Sequence, residues 1–334
     1  MAVGGEGTTS VGARRGDWSV GLDIGGTKIS AVLVDDAWTV RSALRLPTRL
    51  GVQGVVDSAV EATAMLCRRA RMVPSDVAAI GVGVPGMVDA GTGLVTHALN
   101  LGIDGAPVPL GTLLGDALGR GPVTVENDLN VAALGAVRVL HLDGDLAFFA
   151  LGTGVAAGLV LDGRLRRGSV GAAGEIGHVP YVLDGPTCPC GQRGCLELYA
   201  SGSAIDTAWP SLTGRPAPAE LFDAADAGQA EAVRIRDAYA DAVAAGVRML
   251  VLTCDVRHVV LGGGVAEVGR PLLGAVTAAL RRQTSGSPFL GTLRLAERLV
   301  LAPPGGRLAP LGAAVAARSA LAGPLTAGPL TATV

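Results

Sequence analysis

Hydrophobic positions along the chain switch between two periods, and the switches mark the elements. Residues 18–24 (WSVGLDI) read as a strand ending in Asp23, and 29–34 (ISAVLV) as the next, with Gly25, Gly26, Thr27 and Lys28 between them. Two apolar runs around a Gly-Gly-Thr turn predict a β-hairpin whose backbone N–H groups converge on one spot. No helix follows these glycines, so the turn is neither a Walker loop nor a dinucleotide fingerprint, and alone it reads equally well as an ordinary hairpin. A third strand is predicted over 38–46. Over 52–70 the period becomes helical, with Val56, Val60, Thr63 and Cys67 on one face. Arg68, Arg69 and Arg71 stand at the C-terminal end, where cations suit the helix dipole. Cys67 therefore reads as core. Residues 77–84 (VAAIGVGV) are a buried strand broken by Pro85-Gly86, and a turn-rich hairpin leads on to Asn100. A short strand at 123–126 runs into Asn127 and Asp128, and a helix over 129–140 buries Leu129, Ala133, Ala136 and Leu140. Asp128 has two readings. It is that helix's N-cap, or it is a carboxylate at the carboxyl end of a strand, where open α/β sheets place their chemistry.

The pattern then begins again. Residues 146–151 form a strand, Gly152, Thr153 and Gly154 a turn, and 155–161 a returning strand; later 257–261 runs into Gly262, Gly263 and Gly264. Matching Gly-turn hairpins predict an internal duplication: two α/β domains facing a central cleft, with a hairpin on each side able to clamp a polyphosphate. Helices are expected near 196–209, over 228–252 (Val233, Ile235, Tyr239, Val243, Val247 and Leu250 inward), over 265–283 and over 308–321, with a strand at 297–301. The expected division is a disordered tail (1–17), an N-terminal domain (18–127, joined by the helix 308–321), a C-terminal domain (128–307) and a loose tail (322–334).

One stretch, 174–197 (GEIGHVPYVLDGPTCPCGQRGCLE), carries most of the chemistry-bearing residues. His178, Cys188, Cys190 and Cys195 make the ligand set of a closed tetrahedral zinc site. Gly185, Pro186, Gly191 and Gly194 let the loop fold back around an ion. The competing reading is three buried or disulfide-bonded cysteines beside an unrelated histidine. With four protein ligands the zinc would be structural, and it would fix the flanking Glu175 and Glu197 in space.

Composition narrows the partners. A net charge of −2 over 334 residues gives no electrostatic case for nucleic acid or an acidic membrane surface. No apolar run reaches the ~18 residues of a membrane helix, and the first residues (MAVGGEGTTSVGARRGD) lack the apolar core of a signal peptide. Five cysteines, an odd number and mostly clustered, suit a reducing cytoplasm. Lys28 is the single lysine, and Asn100, Asn127 and Asn130 are the only asparagines. Such rarity points to function for Lys28, Asn100 and Asn127, while Asn130 reads as incidental.

These residues together resemble the ROK family (repressor, open reading frame, kinase). The matching pieces run in family order: GLDIGGTK at 21–28, GVGVPGMVD at 81–89, NL at 100–101, ENDLNVAALG at 126–135, LGTGV at 151–155, GEIGH at 174–178, CPCGQRGCLE at 188–197 and LGGGVA at 261–266. The GEIGH and CPCGQRGC pair is the specific part. The resemblance implies the actin-like ATPase (ribonuclease H-like) fold and an ATP-dependent carbohydrate kinase, cytoplasmic and homo-oligomeric as a dimer or tetramer. Asp128 would be the general base. Asn100, Asn127, Glu175, His178 and Glu197 would bind sugar hydroxyls, with His178 also on the structural Zn²⁺. Gly25, Gly26, Thr27 and Lys28 would cradle the ATP phosphates opposite Gly152, Thr153 and Gly154. Asp23 would hold Mg²⁺ through water, and Gly262, Gly263 and Gly264 would pass close to adenosine.

That division suits phosphoryl transfer, which needs in-line positioning and charge neutralisation more than covalent help. Two departures stand out. Family kinases acting on glucose usually continue NL with a Pro-Gly-Trp-like segment, and this chain reads Asn100, Leu101, Gly102, Ile103, Asp104. Ala156 and Ala157 replace glycines usual after the second turn. The expected acceptor is the primary hydroxyl of glucose. Fructose, mannose, allose, an N-acetylhexosamine or a C7 cyclitol are the alternatives. A sugar-sensing regulator is the rival class, and family repressors carry a winged helix-turn-helix for which residues 1–17 leave no room.

Overall fold

The structure is a computed structural model and describes residues 18–305 and 307–321. The tails expected at 1–17 and 322–334 lie outside the described residues. In chain order the first half comprises β1 (Trp18–Ile24), β2 (Lys28–Val34), β3 (Val40–Pro47), α1 (Val52–Arg69), β4 (Val77–Val84), a small hairpin of β5 (Met87–Asp89) and β6 (Leu94–Thr96), α2 (Leu110–Ala117), β7 (Thr124–Asn127) and α3 (Asp128–Leu140). The second half comprises β8 (Leu146–Leu151), β9 (Val155–Leu161), β10 (Arg164–Leu165), α4 (Glu197–Ala200), α5 (Gly202–Ala208), α6 (Ala217–Asp226), α7 (Ala230–Cys254), β11 (His258–Gly262), α8 (Arg270–Thr284), α9 (Pro288–Thr292), β12 (Leu299–Leu301) and α10 (Leu308–Leu321).

The duplication is written in the sheet topology. One five-stranded sheet runs β3-β2-β1-β4-β7 and the other β10-β9-β8-β11-β12. In each, the first three strands are antiparallel and the last two join in parallel. Each Gly-turn therefore links the central strand of a sheet to its antiparallel neighbour.

Alternation along β1 and β4 decides what packs where. Val20, Leu22 and Ile24, with Ile80, Val82 and Val84, face the core under α1 and α2. Gly21, Gly81 and Gly83 face the other way, as period two requires. A Cβ on Gly21 would run into Pro310 O, and one on Gly81 into Ala313 O, so α10 lies directly on the sheet backbone. Gly83 meets the Val131 side chain and the Asp128 backbone of α3. On α3's other flank, Gly158 of β9 meets Leu129 O. Helix α3 is thus wedged between the two sheets, and it crosses α10 where Gly135 meets Leu308 O and Gly312 meets Val131 O. The second core, under β8, β9 and β11, is filled from α4–α8 by Leu196, Phe222, Val243, Val247, Leu272 and Val276.

The expected helix over 265–283 differs. A 3-10 turn spans Gly264–Val268, Gly269 at φ 79 breaks it, and α8 starts at Arg270 with Pro271 in its first turn. Helices α2 and α6 were not anticipated. They are short, 8 and 10 residues, so a helical period has only about two to three turns in which to show itself.

Gly312→Ala would place a methyl inside the contact radius of a backbone oxygen. We expect it to destabilise the protein by about 1–3 kcal/mol in urea unfolding. Gly274→Ala in α8, where a Cβ meets nothing within 4 Å, is neutral or stabilising by up to ~1 kcal/mol. Equal stability of Gly312→Ala and wild type would contradict the close crossing.

Candidate active site and metal centre

The wedged helix sets the site. Asn127, not Asp128, is the N-cap of α3: its Oδ1 accepts from the backbone N–H of Leu129 (2.9 Å) and Asn130 (3.3 Å). The reason is conformational. Asn127 is still extended (φ −65, ψ 144), the geometry a cap needs, whereas Asp128 is already the first helical residue. Asn127 Nδ2 also donates to Gly86 O at 3.0 Å, pinning the cap to the loop after β4. Asp128 is therefore not needed as the cap, and its Oδ1 accepts from Leu129 N–H at 2.9 Å.

The carboxylates interact. Burial raises the Asp128 carboxyl above its ordinary value, the N–H of Leu129 opposes this, and the charge of Glu175 adds to the rise. Burial also lifts Asp23, at the end of β1, to about 7; the charge of Asp128 adds to it and Lys28 opposes it. Asp128 thus acts on Asp23, and Glu175 on Asp128, although the three come from β1, α3 and the 174–178 segment. Among the described residues these acids do not form a donor group close enough to ligate a metal directly, which leaves for Asp23 only the water-mediated Mg²⁺ contact expected above.

A network missed in the sequence supports this cluster. Glu126 is 1% exposed and its Oε2 accepts from Arg167 at 2.6 Å. Its Oε1 accepts from the backbone of Asn127 (3.0 Å) and from Asn130 Nδ2 (2.9 Å). Asn130, read as incidental, is buried and holds this acid in place. Arg167 lies beyond β10, so the bond ties the end of one sheet to the other half. The available signal was an acid inside an otherwise apolar strand, which calls for a partner.

Both Gly-turns sit at the ends of their sheets. In the first, Gly25 N–H bonds Lys28 O (3.0 Å), and Thr48 braces Gly25 and Thr27. A Cβ on Gly26 would lie 2.5 Å from Asn100 O, so Asn100 stands directly beside this turn. Lys28 and Thr27 are exposed. In the second turn Gly152, Thr153 and, across from them, Gly264 line a cavity of about 690 Å³, a size suited to a small-molecule ligand. Asp206 and Glu267 also line it; isolated acids on separate elements gave the sequence no motif. Gly262 does not line it. It is buried in β11, where a Cβ would strike the Phe148 ring.

The metal ligands come together. One donor atom each from His178, Cys188, Cys190 and Cys195 lies within 4.8 Å of all the others. The Sγ atoms of Cys190 and Cys195 are 3.6 Å apart, against about 3.8 Å for the edge of a tetrahedron with 2.3 Å Zn–S bonds. All five cysteines are free thiols, which removes the disulfide reading. His178 Nδ1 is buried with no partner among the described residues. The N–H of Gln192 pulls Cys190 down to about 6, while burial and the neighbouring thiols push Cys195 up to about 12. Three crowded thiols and an orphaned imidazole nitrogen are what a zinc ion satisfies, so the residues fit the metal.

Comparison with known proteins gives the family. The ROK family model matches residues 19–315. The chain belongs to the ROK family. This ROK protein is 32% identical to a glucokinase of Halalkalibacterium halodurans over 297 residues, covering 81% of the chain and 89% of the relative. It is 36% identical to an N-acetylmannosamine kinase of Citrobacter koseri over 249 residues, covering 74% and 83%. Its structure superposes on a ROK family glucokinase from Streptomyces griseus in complex with glucose and AMPPNP with a TM-score of 0.73 at 32% identity, covering 90% and 99%. The fold is the actin-like ATPase fold of ROK sugar kinases. Among the described residues no helix is long and apolar enough to cross a membrane.

Metal analysis of the purified protein is expected to return about one zinc per chain, and Cys190→Ser is expected to lower it. A fully active protein free of metal would contradict the centre.

Proposed function

We propose that this ROK carbohydrate kinase transfers the terminal phosphoryl group of ATP to the primary hydroxyl of a hexose, glucose first among them. The observation that carries the reading is the position of Asp128. A helix wedged between two sheets, and capped by its neighbour, presents a buried carboxylate whose pKa is raised and which interacts electrostatically with Asp23 and Glu175.

In this reading Asp128 accepts the hydroxyl proton as the oxygen attacks phosphorus. A sugar hydroxyl is a poor nucleophile, and a positioned base contributes about 10²–10⁴-fold. Burial helps, because a lifted pKa makes the carboxylate a better proton acceptor at neutral pH. Asn100, Asn127, Glu175, His178 and Glu197 hold the ring and orient it. Gly25, Gly26, Thr27 and Lys28 on one side, and Gly152, Thr153 and Gly154 on the other, hold the phosphates in line. Mg²⁺, when bound, neutralises phosphate charge near Asp23. Zinc, when bound, is structural and holds His178 against the 188–195 loop.

A second acceptor class is supported by specific observations. The Citrobacter koseri relative named as an N-acetylmannosamine kinase is 36% identical, and the segment Asn100, Leu101, Gly102, Ile103, Asp104 lacks the tryptophan expected for glucose. An N-acetylhexosamine therefore stands next to glucose as the acceptor.

The test is ADP release with Mg-ATP and a panel of glucose, mannose, fructose, allose, N-acetylmannosamine, N-acetylglucosamine and C7 cyclitols. Turnover with at least one is expected, with glucose leading. Silence across the panel would overturn the reading. With the active sugar, kcat/KM is expected to fall as pH falls through the raised Asp128 value, because only the carboxylate accepts a proton. A rate that stays flat down to the ordinary aspartate range near about pH 4 would contradict that role.

A further inference from the structure

Glu197 follows the metal ligand Cys195 by two residues, yet its carboxylate reaches the second Gly-turn. Its Oε2 accepts from the backbone N–H of Val155 at 2.9 Å, and it lies so close over Gly154 that a Cβ there would overlap it. A carboxylate bonded to a backbone N–H makes a strong, charge-assisted contact. The same turn is held at its other end, where Gly202 N–H donates to Gly152 O at 2.7 Å.

The other arm of the metal centre grips the strand that leaves this turn. Ala157 N–H donates to Gly174 O at 2.8 Å, and both Gly174 and Gly177 are packed so tightly on β9 carbonyls that neither tolerates a Cβ. His178 follows Gly177 directly. The two arms are joined again by Leu196 N–H on Val179 O at 2.9 Å. The His178 arm and the Cys195 arm thus close around residues 152–157, with the candidate zinc ligands at the point where they meet.

We propose that Glu197 is a positioning residue for the nucleotide: its bond to Val155 holds the turn of Gly152, Thr153 and Gly154 in the shape that receives the ATP phosphates, and the metal centre is the clasp that keeps Glu197 there. This rests on the reading of that turn as a phosphate cradle. It is separate from the sugar contact the family resemblance gives Glu197, since Oε2 faces the turn and Oε1 remains for a ligand. A hydrogen bond to a charged group corresponds to about 10–100-fold in an equilibrium constant, which bounds the effect of losing it.

The roles separate in the absence of sugar. Backbone hydrogen–deuterium exchange at Val155 and AMPPNP affinity by calorimetry are measured on wild type, Glu197→Ala and Glu197→Gln. Glu197→Ala is expected to speed exchange at Val155 and weaken AMPPNP by ~10-fold. Glu197→Gln keeps an oxygen acceptor and is expected to restore both. A residue that only binds sugar would leave both unchanged in either variant, and that result would overturn the proposal. Should Glu197→Ala fail to fold, Gly154→Ala displaces the carboxylate from the other side and is expected to speed Val155 exchange; unchanged exchange would equally overturn it. If wild type binds no AMPPNP, the phosphate-cradle reading fails, while the exchange data still report on the Glu197 bond.

Discussion

The close crossing of α3 and α10 between the two sheets is the constraint on which the rest depends. Gly21, Gly81 and Gly83 keep side chains away from the middle of one face of the first sheet, and Gly158 does so at one point of the second. There α3 and α10 approach to backbone contact. Asp23 follows Gly21 on the same face of β1, and the approach of α3 to Gly83 brings Asp128 to it. The mutual repulsion of these acids, and the burial that lifts both, are consequences of that packing. Such a cluster costs stability once the acids ionise, a strain commonly found where chemistry is done.

Around this wedge the polar groups are arranged in tiers. Asn127 caps α3 and ties it to Gly86, so Asp128 need not serve as the cap. Glu126 sits behind Asn127 and is held by Arg167 and Asn130. On the opposite wall, the His178 and Cys195 arms enclose the turn at 152–154. The two halves of the molecule each carry a Gly-turn, but only the second is buttressed by a metal loop. The first is braced by Thr48 and by the backbone of Asn100. Asn100 therefore links a candidate sugar contact to a candidate phosphate contact.

Much of this was legible in the chain, for identifiable reasons. The Gly-turn hairpins declare themselves because apolar strands flank them, and their repetition exposed the duplication that the matched sheet orders bear out. The four candidate metal ligands were readable because three thiols concentrated in one short loop, with a histidine ten residues before the first of them, have few other uses. Less legible were contacts between distant segments. Nothing local reveals that Arg167 answers Glu126, that Asn130 is buried, or that Glu197 reaches Val155. Asp128 was ambiguous because Asn and Asp both make good caps and stand side by side; only the backbone angles separate them. Gly262 and Gly263 also have packing reasons to be glycines that the sequence does not show, since a Cβ would strike the Phe148 ring on one and the Leu151 backbone on the other.

The account turns on Asp128 as the group that takes the proton, and one comparison tests it most directly. Sugar affinity by calorimetry and sugar-dependent ADP release are measured for wild type and Asp128→Asn with the preferred acceptor. Asparagine keeps the shape and a hydrogen-bonding oxygen but cannot accept the proton. The account predicts sugar binding within a few-fold of wild type and turnover reduced by about 10²–10⁴. Turnover equal to wild type would contradict it.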